Sequence, residues 1–272
     1  MQNQIIEFNR KWKGKEIYNC EIIKSTLNFV PEGIALCCSS TTGKFPLAHS
    51  IISIDDLFFD KSYYINAIIQ VFESIQNGTK CKGCKKLEKT IFKEWDEEQI
   101  KIRNINWNHF KGCNSHCVYC NETTRFKKYY EPIEIINQLD EEGLLSSSLS
   151  IAFGGGEPTL LDNLEQYIKF GLTKHCCEQV LNTSGLLKKD FIKNALLEND
   201  NFWVQISVDS GTPETYLKVK KQSGFHAVWN TIKEYCSVSK HVLIKYIVFS
   251  YNSDKSEIDA FIQQCNTSGV RN

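Results

Sequence analysis

No segment of this sequence approaches the roughly 18 consecutive apolar residues that a membrane-spanning helix needs. The first ten residues, Met1-Gln-Asn-Gln-Ile-Ile-Glu-Phe-Asn-Arg, also lack the apolar run of a secretory signal. Charge of one sign is missing too, because 32 Lys and Arg residues balance 32 Asp and Glu residues. There is therefore no basic field to draw in a nucleic-acid backbone, and a nucleic-acid partner is not expected. Internal repeats and low-complexity linkers are absent. These absences predict a cytoplasmic protein without membrane or nucleic-acid partners. At 272 residues the chain can bury a sizeable core in one or two domains.

Cysteine, by contrast, is plentiful, with twelve in the chain. Disulfides are disfavoured in a reducing compartment, so clustered thiols there point to metal binding or catalysis. Cys113, Cys117 and Cys120 fall within eight residues, at a Cys-x3-Cys-x2-Cys spacing. One tight loop can bring three such thiols to three corners of a metal group. A closed structural zinc site takes four ligands, which His109, His116 or a distant Cys would have to complete. An iron–sulfur cube also has four corners, and three thiolates would leave one iron open for a small molecule. The spacing alone admits both.

The first hundred residues carry a second group of thiols. Leu27-Asn-Phe-Val and Ile34-Ala-Leu-Cys-Cys read as two extended runs on either side of Pro31-Glu-Gly33, which is turn punctuation. Residues 61–76 read as a helix, with Tyr64, Ala67, Ile68, Val71 and Ile75 at helical spacing and Gly78 as the stop. Cys81-Lys-Gly-Cys84 follows directly and has the form of a metal-ligand knuckle. With Cys20 and Cys37 (or Cys38 in its place), it predicts a four-thiolate site. The other reading of Cys37 and Cys38 is as small core hydrophobes. The charge-rich stretch 93–101 marks the expected boundary between residues 1–100 and 101–272.

Beyond residue 103 the pattern alternates regularly. Strands are predicted at 103–108, 149–153, 179–181, 202–208 and 241–249. Helices are predicted at 132–142, 162–170, 188–198, 225–236 and 255–265, with Asp162 capping the second. Ile258, Phe261, Ile262 and Cys265 should face inward on the last helix, and Cys236 on the one before it. Such alternation with apolar strands means a parallel α/β sheet, whose chemistry sits at the carboxyl ends of the strands. The first strand ends in the three-cysteine loop. The second ends in Gly154-Gly155-Gly156-Glu157-Pro158, where glycine lets the backbone approach a ligand closely. A tight turn into the next helix is the simpler alternative. The third strand ends at Asn182 and the fourth at Ser207-Val-Asp209-Ser210. Lys245 interrupts the fifth.

This combination resembles the radical S-adenosylmethionine (SAM) superfamily over residues 103–272. Cys113, Cys117 and Cys120 fit its cluster loop, with Tyr119 at the aromatic position. Gly154, Gly155, Gly156, Glu157 and Pro158 fit the motif that holds the SAM amino group, and Asn182, Ser207 and Asp209 fit polar positions around SAM. The resemblance implies a partial (β/α)6 TIM-like barrel preceded by a small Cys-rich α+β domain. It further implies a 4Fe–4S cluster on the three cysteines, with SAM on the fourth iron. An electron from a donor such as flavodoxin or ferredoxin would cleave SAM to a 5′-deoxyadenosyl radical, which would take hydrogen from a substrate. The N-terminal thiols are similar to the auxiliary-cluster domains called SPASM or twitch, which imply a second 4Fe–4S cluster or zinc. A peptide or protein is the expected substrate, with a carbohydrate or nucleotide sugar as the alternative. A non-catalytic structural zinc protein is the alternative from another class. The chain stops where a sixth strand would begin, so it is expected to be a fragment or to be closed by another element.

Overall fold

A computed structural model describes residues 2–31, 33–36, 52–53, 60–78, 81, 84–120, 130–174 and 177–271. They form two compact units, one of residues 1–109 with 129–150, the other of residues 110–128 with 151–272. The first unit thus takes in more than the N-terminal hundred residues. Strand pairing explains why, since β2 (Thr26–Val30) lies parallel to β6 (Ile102–Trp107).

The first unit begins with α1 (Gln2–Trp12), which the sequence pattern did not predict. Ile5 and Phe8 are buried on one side of it. Next come β1 (Glu16–Asn19), β2, β3 (Gly33–Ala35) and β4 (Ile52–Ser53). The predicted turn at Pro31 joins β2 and β3 as antiparallel neighbours, and the strand order is β6-β2-β3-β4. β2 is buried along all five residues, as befits a strand paired on both sides. Helix α2 (Lys61–Gln76) starts where the Asp60 carboxylate accepts the Tyr63 N–H at 2.7 Å. It ends at Gly78, whose φ of +65° suits glycine. Its buried face carries Tyr64, Ile68, Phe72 and Ile75. Each such side chain contributes about 1.5–3 kcal/mol on burial. Phe72 meets Phe8 edge-on at 5.1 Å and Trp95 at 5.4 Å. The Asn9 amide clamps the Trp95 backbone with two hydrogen bonds of 2.8 Å. β5 (Glu88–Ile91) pairs antiparallel with β1 as a separate two-stranded ribbon. β6, α3 (Pro132–Glu141) and the start of β7 (Leu145–Phe153) complete the unit.

The second unit follows the predicted alternation. After the end of β7 come α4 (Leu164–Thr173), β8 (Glu178–Thr183), α5 (Asp190–Glu198), β9 (Phe202–Ser207), α6 (Pro213–Lys220), α7 (Phe225–Cys236), β10 (Val242–Lys245) and α8 (Lys255–Thr267). The strands run in the order β7-β8-β9-β10, and β8, β9 and β10 are parallel neighbours. This is the parallel α/β arrangement of a partial (β/α) barrel. Burial alternates along β8 and β9. Leu181, Thr183, Phe202, Val204 and Ile206 are buried, whereas Asn182, Trp203, Gln205 and Ser207 are half-exposed on the opposite face.

Four details depart from the sequence pattern. Asn163, not Asp162, occupies the cap position of α4. Helix α6 was not predicted. β10 ends at Lys245 rather than Phe249, because side chains replace the ladder beyond it. The Asp209 carboxylate accepts the Ile247 N–H at 2.7 Å, and the Asn252 amide bonds Ile247 O and Phe249 N. On α8, Ile262 is exposed and Glu257 is buried instead. The Glu257 carboxylate accepts from the Gly211 and Thr212 N–H groups and the Thr212 hydroxyl, which holds the start of α6.

Candidate metal centre

The three-cysteine loop is pinned from two directions within the second unit. On one side, Phe110 O and Gly112 O accept the N–H groups of Gly156 and Glu157, each at 2.7 Å. On the other, the His116 and Val118 N–H groups donate to Lys220 O and Val219 O at 3.0 and 2.9 Å. Those carbonyls belong to the last turn of α6, where a helix leaves its acceptors unpaired. Within the loop the Ser115 N–H reaches the Cys113 sulfur at 3.4 Å.

Cys113, Cys117 and Cys120 are all unbridged, the first two half-buried and the third exposed. Burial pushes the Cys113 and Cys117 thiols up. At Cys113 the charges of Cys117 and Cys120 push the same way, so the three groups lie within one another's field. At Cys117 the Lys220 ammonium and the Tyr119 hydroxyl oppose the effect of burial. Among the described residues, no three His, Cys, Asp or Glu side chains converge closely enough to hold a single metal ion. In an iron–sulfur cube each thiolate binds a different iron, and three thiolates on one loop supply three of its four corners, one ligand short of a closed zinc site. The Ser115 hydroxyl is buried in the same loop without a hydrogen-bond partner. A polar group placed so is stabilised once something with acceptor atoms fills the loop.

The glycine motif lies directly against this loop. Gly155 has φ +92°, in the region that favours glycine. A Cβ on Gly156 would overlap Gly112 O and the Lys111 backbone. Gly156 is thus required by the approach of two protein segments, whatever else it accommodates. Glu157 is 1% exposed. Its Oε1 accepts from the Thr159 and Thr183 hydroxyls, both at 2.6 Å, and its Oε2 accepts the Ser184 N–H at 2.6 Å. It also caps the single 3-10 turn that starts at Pro158. Asn182 donates to Phe153 O at 3.0 Å and accepts from Gln205 at 2.8 Å. Ser207 ends β9 opposite Lys245, which is exposed. Asp209 is fully buried, and its Oδ2 accepts from Tyr119 at 2.6 Å and from Lys220 at 2.6 Å.

All the predicted residues of the second unit therefore lie at the ends of β7, β8 and β9 or on the cysteine loop. Two carboxylates among them, Glu157 and Asp209, already have their oxygens engaged by protein groups. Lys220 escaped the sequence reading. It sits in Lys218-Val-Lys-Lys221, which looks like a solvated run, although Tyr216, Val219 and Lys220 share one helical face. In the first unit, Cys20 is buried just before a 3-10 turn. Cys81 has φ +59°, and its carbonyl accepts the Cys84 N–H at 2.9 Å. Cys37 and Cys38 lie outside the described residues. Cys236 is buried on α7, as the sequence predicts, and Cys265 is half-buried on α8. No described helix is long and apolar enough to cross a membrane.

Comparison with known proteins meets this geometry from outside. A protein of Brachyspira hyodysenteriae named GTPase Obg is 29% identical over 170 residues, covering 57% of this chain but 25% of that protein. Residues 1–272 contain no G-x-x-x-x-G-K-[ST] phosphate loop. The GTP 3′,8-cyclase of Desulforamulus reducens is 28% identical over 152 residues, 51% of this chain and 45% of the cyclase. Among solved structures, Streptococcus suis SuiB bound to the precursor peptide SuiA superposes with a TM-score of 0.52 at 14% identity, over 85% of this chain and 49% of SuiB. The chain spans less than half the length of each of these relatives. The likeness to SuiB concerns the fold. Finally, the profile of the radical SAM superfamily matches residues 107–264, which include the cysteine loop, the glycine turn and the ends of β8 and β9. That span is more than half of the chain and contains every element of the candidate centre, so this protein belongs to the radical SAM superfamily of enzymes.

Proposed function

We propose that Cys113, Cys117 and Cys120 hold a 4Fe–4S cluster and that SAM binds beside it at the ends of β7, β8 and β9. The observation that carries this reading is the docking of the cysteine loop onto the glycine turn, which presents three unbridged thiols on one loop. When bound, the cluster and SAM together supply a 5′-deoxyadenosyl radical on one-electron reduction, and that radical takes hydrogen from a substrate. The chain's own residues position and shelter this chemistry. Gly154 and Gly155 give the SAM amino group a backbone it can approach. Glu157 acts by locking the end of β7 to the end of β8, because its carboxylate binds Thr183 and Ser184. Ser207, Asn182 and Gln205 offer polar groups on the half-exposed face. Tyr119 and Asp209 contribute through the loop itself.

A peptide or protein is our first reading of the substrate, supported by the breadth of the likeness to SuiB, which spans both units. A nucleotide is the second. It is favoured by the cyclase relative and by exposed Lys245 in register with Ser207 on the Asn182 and Gln205 face, which suits an anionic group. An external one-electron donor of the flavodoxin or ferredoxin kind would serve either. Cys20, Cys37 or Cys38, Cys81 and Cys84 are proposed to hold a second cluster or zinc. Membership of a superfamily of enzymes displaces the alternative of a purely structural zinc protein. The test is anaerobic incubation of reconstituted protein with SAM, a reductant and deuterated candidate substrates. Deuterium in 5′-deoxyadenosine from a peptide pool supports the first reading, and from nucleotides the second. No 5′-deoxyadenosine under any condition rejects the function.

A further inference from the structure

Lys220 is 2% exposed, and Asp209, which it touches, is 0% exposed. Burying an ammonium is costly unless it is paired and hydrogen-bonded. Here its Nζ lies 2.6 Å from Asp209 Oδ2 and 2.8 Å from the Tyr119 hydroxyl oxygen. The Tyr119 hydroxyl donates to the same Oδ2 at 2.6 Å, which closes a ring of three groups. Asp209 itself has φ +57°, a conformation uncommon outside glycine. That backbone is held by further contacts. Oδ1 accepts the Ile247 N–H at 2.7 Å, and Asp209 O accepts the Asn252 amide at 2.8 Å. The Tyr119 ring stacks on Phe249, with centroids 4.9 Å apart and planes at 13°. Four segments therefore meet at one buried ion pair: the cysteine loop, the turn after β9, the end of α6 and residues 247–252.

Placement turns this from packing into chemistry. Tyr119 lies between Cys117 and Cys120, and the Lys220 and Val219 carbonyls hold the His116 and Val118 amides. The Tyr119 side chain carries these contacts into the loop, so the conformation of residues 117–120 is tied to the ion pair. Groups that orient ligand residues tune the metal group those residues hold. No polar position around SAM is needed to explain Asp209, since protein donors reach both its carboxylate oxygens.

We infer that Lys220 is a positioning residue of the metal centre: through Asp209 and Tyr119 it fixes the loop from Cys117 to Cys120 in the arrangement that holds the group bound there. This rests on the reading of Cys113, Cys117 and Cys120 as cluster ligands. The test compares the full chain with Lys220→Arg, Lys220→Met and Tyr119→Phe after anaerobic reconstitution. Iron content and the EPR signal of the reduced protein are the readouts. Tyr119→Phe and Lys220→Met should alter the signal or lower the iron content, and Lys220→Arg should restore most of the parent's behaviour. Parent-like iron content and signal in the first two, or an Arg variant no better than Met, would overturn the inference. If Lys220→Met loses iron, Tyr119→Phe decides, because it leaves the ion pair intact. Hydrogen exchange of the His116 and Val118 amides is followed in parallel on the metal-free chain. It should rise about tenfold in Lys220→Met and not in Lys220→Arg. If the unaltered chain takes up no iron, the ligand assignment fails. The exchange measurement then judges Lys220 alone, and equal exchange in all variants overturns its role.

Discussion

The two groups of cysteines in this chain make opposite demands on the fold. Cys113, Cys117 and Cys120 come from eight consecutive residues, so their mutual placement needs one loop and two anchoring edges. Cys20, Cys81 and Cys84 come from distant points of the first unit, one before a 3-10 turn and two after α2, and Cys37 and Cys38 lie outside the described residues. A local ligand set is legible from spacing and can be preformed before metal arrives. A dispersed set needs tertiary structure to assemble, and metal binding can supply part of the folding free energy. The first group should therefore govern chemistry and the second, if it binds metal, should govern stability.

The sharpest way to break this contrast is to remove the local set. Replacing Cys113, Cys117 and Cys120 together by Ala should abolish 5′-deoxyadenosine formation while far-UV circular dichroism and melting temperature stay close to those of the parent. Undiminished SAM cleavage by that variant would remove the loop from the mechanism. Gly156→Val comes next. The added side chain would overlap Gly112 O and the Lys111 backbone, which no rotamer relieves. A loss of about 1–3 kcal/mol in denaturant unfolding and poor iron uptake are expected. Normal uptake would mean that the glycine turn does not anchor the loop.

On the first unit, His109 offers a pH test. Burial pushes its imidazole down to about 4. The unfolded chain, with an ordinary His near 6.5, then binds more protons than the folded one between those values. Stability is complete above about pH 6.5 and is lost as pH falls toward 4, by about 3 kcal/mol at most. His109→Phe should flatten that acid slope in urea titrations, and an unchanged slope would refute the assignment. Cys81→Ala with Cys84→Ala should have the smallest effect on SAM cleavage. The pair of changes should lower the melting temperature and remove whatever iron or zinc remains in the triple-Ala chain. Full metal retention would take these thiols out of any metal site.

Much of the second unit was legible because its strands are apolar and its helices carry long, well-spaced apolar faces, as in α7. The cysteine loop and the glycine turn were legible because their residue types have few other uses at that spacing. Helix α6 escaped because only Tyr216 and Val219 mark its inner face among lysines. Thr212 followed by Pro213 was nonetheless an available start signal, and the Thr212 hydroxyl does accept the Thr215 N–H. Lys220 was illegible because a buried lysine is recognised by its partners, and Asp209 and Tyr119 lie 11 and 101 residues away in sequence. Glu257 escaped for the same reason: its burial follows from the N–H groups of Gly211 and Thr212, which no helical period reveals. Helix α1 is short, and its apolar side is little more than Ile5 and Phe8.

The most direct test of the central claim is the EPR spectrum of the reduced, reconstituted chain with and without SAM. Three protein thiolates on a four-iron group leave one iron open, so adding SAM should change the signal, and the change should vanish in the Cys113/Cys117/Cys120 triple-Ala chain. A spectrum indifferent to SAM, in protein that carries about four irons on this loop, would contradict the account.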